Sequence, residues 1–258
     1  MPDTKLPDID IGPSVQQHEH HERTFVTEKE PTVLDSKMAD YIFYPISHVL
    51  RQMESLPVRA RELALECLLV LMRTAWQRDI SPDLGMQLMI FLTLMADANG
   101  QSFMGLQTSE ELLNLSYQCL YFLFESMGKG NEGQSALAAV TNMPHVGKTV
   151  SVLLDGARDG PSGLIQLHAV FSLYAFTRAF KDLEALATGF FPGITSGLTK
   201  VLTPTTHSPR NYKVLRASLQ LLAVVVPSVF DDSANSDDES KHGTKLSAEW
   251  LRGSASQV

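Results

Sequence analysis

From Lys37 onward, apolar residues recur at i, i+3, i+4 and i+7 in long segments broken by short runs of Pro, Gly, Ser and Asn. This spacing predicts amphipathic helices over Met38 to Glu54, Pro57 to Gln77, Pro82 to Asp97 and Ser109 to Met127. Shorter pieces follow over 134–142 and 145–155, then longer ones over Pro161 to Phe180, Leu183 to Phe190, Pro192 to Leu202 and Tyr212 to Val226. Pro57 suits a first helical turn, where no N–H is needed, and "SPDL" and "TSEEL" each supply an N-cap followed by acids. Gly100 and Gly128 stand where helices stop. No alternation of period two survives along the chain, so the expected class is all-α.

Helix pairs joined by short turns recur at about 40 to 45 residues, the period of HEAT and armadillo arrays. A HEAT/armadillo-like α-solenoid of paired antiparallel helices is therefore expected over residues 36–230. Arg61, Ala64, Leu68 and Leu71 share their spacing with Arg216, Leu219, Ala223 and Val226. This reads as one position of two repeat units, with Pro57, Arg61 and Arg216 as structural repeat positions. In such a unit the second helix lines the inner face, Arg61 reaches back to the turn before it, and the leucines pack on two neighbours.

The flanks have a different texture. Residues 1–35 are polar and proline-punctuated, with too little apolar surface to offset ordering entropy, and are expected to be a disordered tail. Residues 231–245 read as an acidic linker, with five acids and no base between Asp231 and Glu239. Residues 246–258, "LSAEWLRGSASQV", look like the start of a further helix. The array lacks a polar terminal cap, so the chain is expected to be part of a longer protein.

Charge narrows the function. The formal net charge is −8, and no cluster of Lys and Arg is interleaved with aromatics, which argues against nucleic acid as a partner. No stretch approaches the ~18 apolar residues of a membrane span, and the N-terminus lacks the pattern of a secretory signal. Cys67 and Cys119 both sit in apolar helical text as small hydrophobes. A cytoplasmic or nuclear location without membrane contact is expected.

Candidate chemistry is sparse. "HVGKTV" lacks the first glycine of a phosphate-binding loop, since Asn142 stands there, and no strand precedes it. His18, His20 and His21 lie in the polar tail without the fixed geometry a structural metal needs. No nucleophile elbow or cysteine–histidine arrangement is visible, so no catalytic residue, cofactor or metal is expected. Met86, Met89 and Met95 belong to a helix apolar on all sides, which favours packed core over a partner groove. Ser236, followed by Asp237, Asp238 and Glu239, is a candidate phosphosite for an acidophilic kinase.

Four stretches carry a resemblance: "DYIFYPISHVLRQMESLPVRARELALECLLVL", "GKTVSVLLDGARDGPSGLIQLHAVFSLYAF", "FFPGITSGLTKVLTPTTHSPRNYKVLRASLQLLAVVVPSVF" and "AEWLRGSASQV". Their wording and order over Leu34 to Val258 resemble the N-terminal part of the fungal Tti-one family, the Tel-two-interacting HEAT-repeat proteins. The resemblance implies a non-catalytic subunit of the TTT co-chaperone complex, working with Tel-two-like and Tti-two-like subunits. It implies kinase-related clients, the phosphatidylinositol-kinase-related kinases, and a chaperone adaptor that links them to the heat-shock protein 90 machinery. In such complexes the adaptor reads acidic phosphoserine motifs, although Asn235 stands here where an acid is preferred before the serine. The alternative reading is another HEAT-repeat adaptor, in nuclear transport or trafficking.

Overall fold

A computed structural model describes residues 36–52, 55–76, 80–103, 107–203 and 211–230. The described residues lie in one compact unit, Asp35–Val258. They form ten helices: α1 Ser36–Arg51, α2 Val58–Thr74, α3 Pro82–Ala96, α4 Ala98–Phe103, α5 Glu110–Met127, α6 Asn131–Ala138, α7 Met143–Asp159, α8 Gly163–Phe180, α9 Glu184–Leu202 and α10 Tyr212–Phe230. The expected acidic linker and further helix, with Ser236, lie outside the described residues, as does the histidine tract.

The helices pair as α1/α2, α3/α5, α7/α8 and α9/α10. Second helices stack in chain order, α2 on α5 on α8 on α10, and first helices stack α3 on α7 on α9. This is the two-layer all-α solenoid the periodicity predicts.

The repeat is longer than expected. Second helices begin at Val58, Glu110, Gly163 and Tyr212, so successive starts lie 52, 53 and 49 residues apart. Two short helices, α4 and α6, lengthen the first two of these intervals. Asp97 ends α3, with Oδ1 accepting from Gly100 N at 2.9 Å. The amide of buried Gln101 then donates to Leu94 O and Met95 O, closing the end of α3.

Aligning the second helices by burial exposes a motif. Ala64, Ser116, Ala169 and Ala217 form one row and Leu68, Leu120, Leu173 and Leu221 another, every member of both buried. In the sequence these are "ALECL", "SYQCL", "AVFSL" and "ASLQL". The small residue permits close approach of neighbouring helices, and each buried leucine contributes roughly 1.5–3 kcal/mol. The fourth residue adds a contact in constant register. Cys119 Sγ reaches Leu65 O on the helix before it at 3.8 Å, and Ser172 Oγ reaches Tyr117 O, the equivalent carbonyl, at 2.6 Å.

This register corrects the echo drawn between Arg61 and Arg216. The burial pattern of α2 maps onto α10 by placing Arg61 on Val214, Ala64 on Ala217 and Leu68 on Leu221. The expected pairing was two residues out, and two residues turn a helix by about 200°, which leaves Arg216 exposed on the outer face. A second correction concerns the two pieces expected over Leu183 to Phe190 and Pro192 to Leu202, which form one helix, Glu184–Leu202, with Pro192 inside it. Thr188 and Pro192 lie on the exposed side, where water can satisfy the carbonyl that the ring deprives of its N–H.

Candidate protein-interaction face

The N-terminal ends of α2 and α5 are tied by polar side chains. Pro57 is the N-cap of α2, one residue outside the first turn expected for it, and its carbonyl accepts from Ala60 N and Arg61 N. Arg61, 3% exposed, donates through Nη2 to Gln107 O at 2.6 Å. It therefore reaches forward to the approach of the next pair's second helix, not back to its own turn. Its Nε and Nη1 have no hydrogen-bond partner among the described residues. Ser109 caps α5 by accepting from Leu112 N at 3.0 Å and donates to Glu62 Oε1 at 2.5 Å. This hydrogen bond opposes desolvation and, with help from Arg59, holds the Glu62 carboxyl below its ordinary range.

"HVGKTV" is ordinary helix in α7. Lys148 pairs with Asp97 at 2.7 Å, and Thr149 meets Thr93 at 2.8 Å inside the first-helix layer. Burial alone would raise Asp97, but hydrogen bonds from Lys148 and Gly100 N outweigh it and hold the carboxyl low. Met86, Met89 and Met95 are buried core. Among the described residues no group of His, Cys, Asp or Glu is arranged to hold a metal, and no helix is long and apolar enough to cross a membrane.

Among the described residues, no further helix covers the outer face of the second-helix layer. Two neighbouring cavities share Tyr121 and Phe171 there. The larger, about 510 Å³, lies between α8 and α10 and is lined by Tyr121, Phe171, Tyr174, Ala217, Gln220 and Ala223. The smaller, about 170 Å³, is completed by Gln118, Phe122 and His168. Phe171 and Leu219, at equivalent positions of α8 and α10, are 40% and 56% exposed. Arg73 lies over the Phe122 ring at 5.7 Å. His168 Nδ1 is hydrogen-bonded to Asn114 Oδ1, and burial lowers its pKa against the pull of Glu111. Burial raises the Tyr121 hydroxyl, helped by Glu125 and opposed by Arg178. Rings, amides and hydroxyls together form a surface suited to binding.

None of Tyr121, Phe171 or Tyr174 was singled out by the spacing of the sequence. The apolar residues of α8 surround the helix, a pattern that by itself reads as full burial.

A family model described as the TTI1 N-terminal TPR domain matches residues 12–258. The chain is also 28% identical over 209 residues to TEL2-interacting protein 1 of Saccharomyces cerevisiae, a match covering 79% of this chain and 20% of the relative. The chain thus spans about a fifth of that relative's length. No solved structure matches significantly.

Proposed function

Because the chain belongs to the family of TTI1 N-terminal TPR domains, we propose that this helical-repeat scaffold forms the N-terminal arm of a TTT-type co-chaperone subunit. In that role it holds protein partners, among them Tel-two-like and Tti-two-like subunits, and supports maturation and stability of phosphatidylinositol-kinase-related kinases in the cytoplasm or nucleus. The observation that carries the reading, beside the family, is an aromatic face of the second-helix layer that no described helix covers. The name of the yeast relative, TEL2-interacting protein 1, supports a Tel-two-like partner.

The test is affinity purification of the tagged chain from cells, followed by mass spectrometry. A Tel-two-like subunit and a kinase-related client are expected; recovery of the folded chain with neither sinks the co-chaperone reading. Ser236 belongs to the same proposal: its phosphorylated form recruits a chaperone adaptor with a basic pocket. Phosphorylated and plain peptides spanning Asp231 to Glu239 should then differ in affinity for such an adaptor, and equal affinities would remove this site from the reading.

A further inference from the structure

The two helices that wall the larger cavity are unusual in charge. Over Gly163–Phe180 and Tyr212–Phe230 there is no Asp or Glu, while Arg178, Lys213 and Arg216 are present, in a protein whose net charge is −8. All three cations are exposed. None forms an ion pair among the described residues. In the aligned register Arg216 holds the position equivalent to His168, one turn before that of Phe171, and Arg178 lies one turn beyond Tyr174 and acts on Tyr121, which puts a cation toward each end of the aromatic cavity. Two acids of α5 act on this arrangement, Glu125 on Tyr121 and Glu111 on His168.

We propose that the α8/α10 cavity binds an acidic amphipathic helix of a partner protein, which seats an aromatic or leucine anchor among Tyr121, Phe171 and Tyr174. Its flanking carboxylates meet Arg178 and Arg216. The apolar lining supplies the anchor site, as in helix-in-groove recognition. The cations select the charge of the partner and speed its encounter. This deepens the scaffold reading and rests on it.

The experiment uses the full chain and two fluorescein-labelled helical peptides with Leu and Phe at i, i+3, i+4 and i+7, one in a Glu/Ala background and one in a Lys/Ala background. Fluorescence polarisation should show binding of the acidic peptide alone, weakening as salt screens the rim. The double variant R178E/R216E should lose roughly tenfold or more in affinity for it and gain affinity for the basic peptide. Phe171→Glu, at a position exposed enough to leave the fold intact by circular dichroism, should abolish binding of the acidic peptide. Equal binding of the two peptides, binding of neither, or binding unchanged in R178E/R216E overturns the proposal. So does sedimentation showing the face closed by a second copy of the chain. If partners still co-purify from cells while the peptides fail, only the acidic-helix assignment falls and the scaffold reading stands.

Discussion

Replacing Gly156 by alanine tests how tightly the two layers are locked. A Cβ at Gly156 of α7 would lie 2.2 Å from Tyr117 Oη, 2.7 Å from its Cζ and 3.3 Å from Ala169 Cβ. Tyr117 cannot simply swing aside, because it is 2% exposed and its hydroxyl donates to Ala96 O at 3.3 Å. Clearing the contact requires more than an ångström of movement by a buried ring or by α7. Overpacking of this kind costs about 1–3 kcal/mol, and loss of the tyrosine hydrogen bond adds about 0.5–1.5 kcal/mol. The intrinsic gain of alanine over glycine in a helix, about 1 kcal/mol, works the other way. The net expectation is destabilisation by about 1–3 kcal/mol. Gly193 of α9 is the control, since a Cβ there meets nothing within 4 Å, and Gly193→Ala should stabilise by about 0.4–1 kcal/mol. Urea unfolding followed by circular dichroism compares the midpoints. Adding Tyr117→Phe to Gly156→Ala should relieve the strain only in part, because the ring carbon remains too close. A Gly156→Ala protein as stable as the parent, or a Gly193→Ala protein that loses as much, would refute this account of the packing.

Leu120→Ala should cost about 2–5 kcal/mol, whereas Leu219→Ala, on the open face, should stay within about 0.5 kcal/mol; both are read from urea midpoints. Glu62 and Asp97 are both held below their ordinary carboxyl range, so the stability they contribute is present above the unfolded pKa of about 4 and lost as pH falls through the lower folded values. Asp97→Asn should therefore flatten the decline of the midpoint between about pH 5 and pH 2, and an unchanged profile would remove Asp97 from this role. Exposed Cys67 should react with a thiol reagent in the native protein, whereas Cys119, buried and with its thiol pKa pushed up by that burial, should react only after unfolding. Two fast-reacting thiols in the native state would contradict the packing of α5 on α2.

Helix pairing was legible because each first and second helix carries its apolar stripe at helical spacing, as in "RELALECLLVL". The register was harder to read. It resides in a five-residue pattern whose small first residue and terminal leucine recur at 52, 53 and 48 residues, beyond a search near 40 to 45, with α4 and α6 lengthening the first two intervals. Arg216 illustrates the penalty: matching one arginine to another outweighed matching one buried face to another. The candidate face was the least visible part. Tyr121, Phe171 and Tyr174 resemble core residues in composition, and only the lack of a third layer over them among the described residues distinguishes them from Phe124 and Phe176, which pack edge to face in the interior.

The constant register of the leucine and small-residue rows also bears on ancestry. Because α5 meets α2 through positions equivalent to those by which α8 meets α5, genetic exchange at matching points of two units joins surfaces already complementary in shape. Such an array can gain or shed a whole unit by unequal recombination without any new interface having to be evolved.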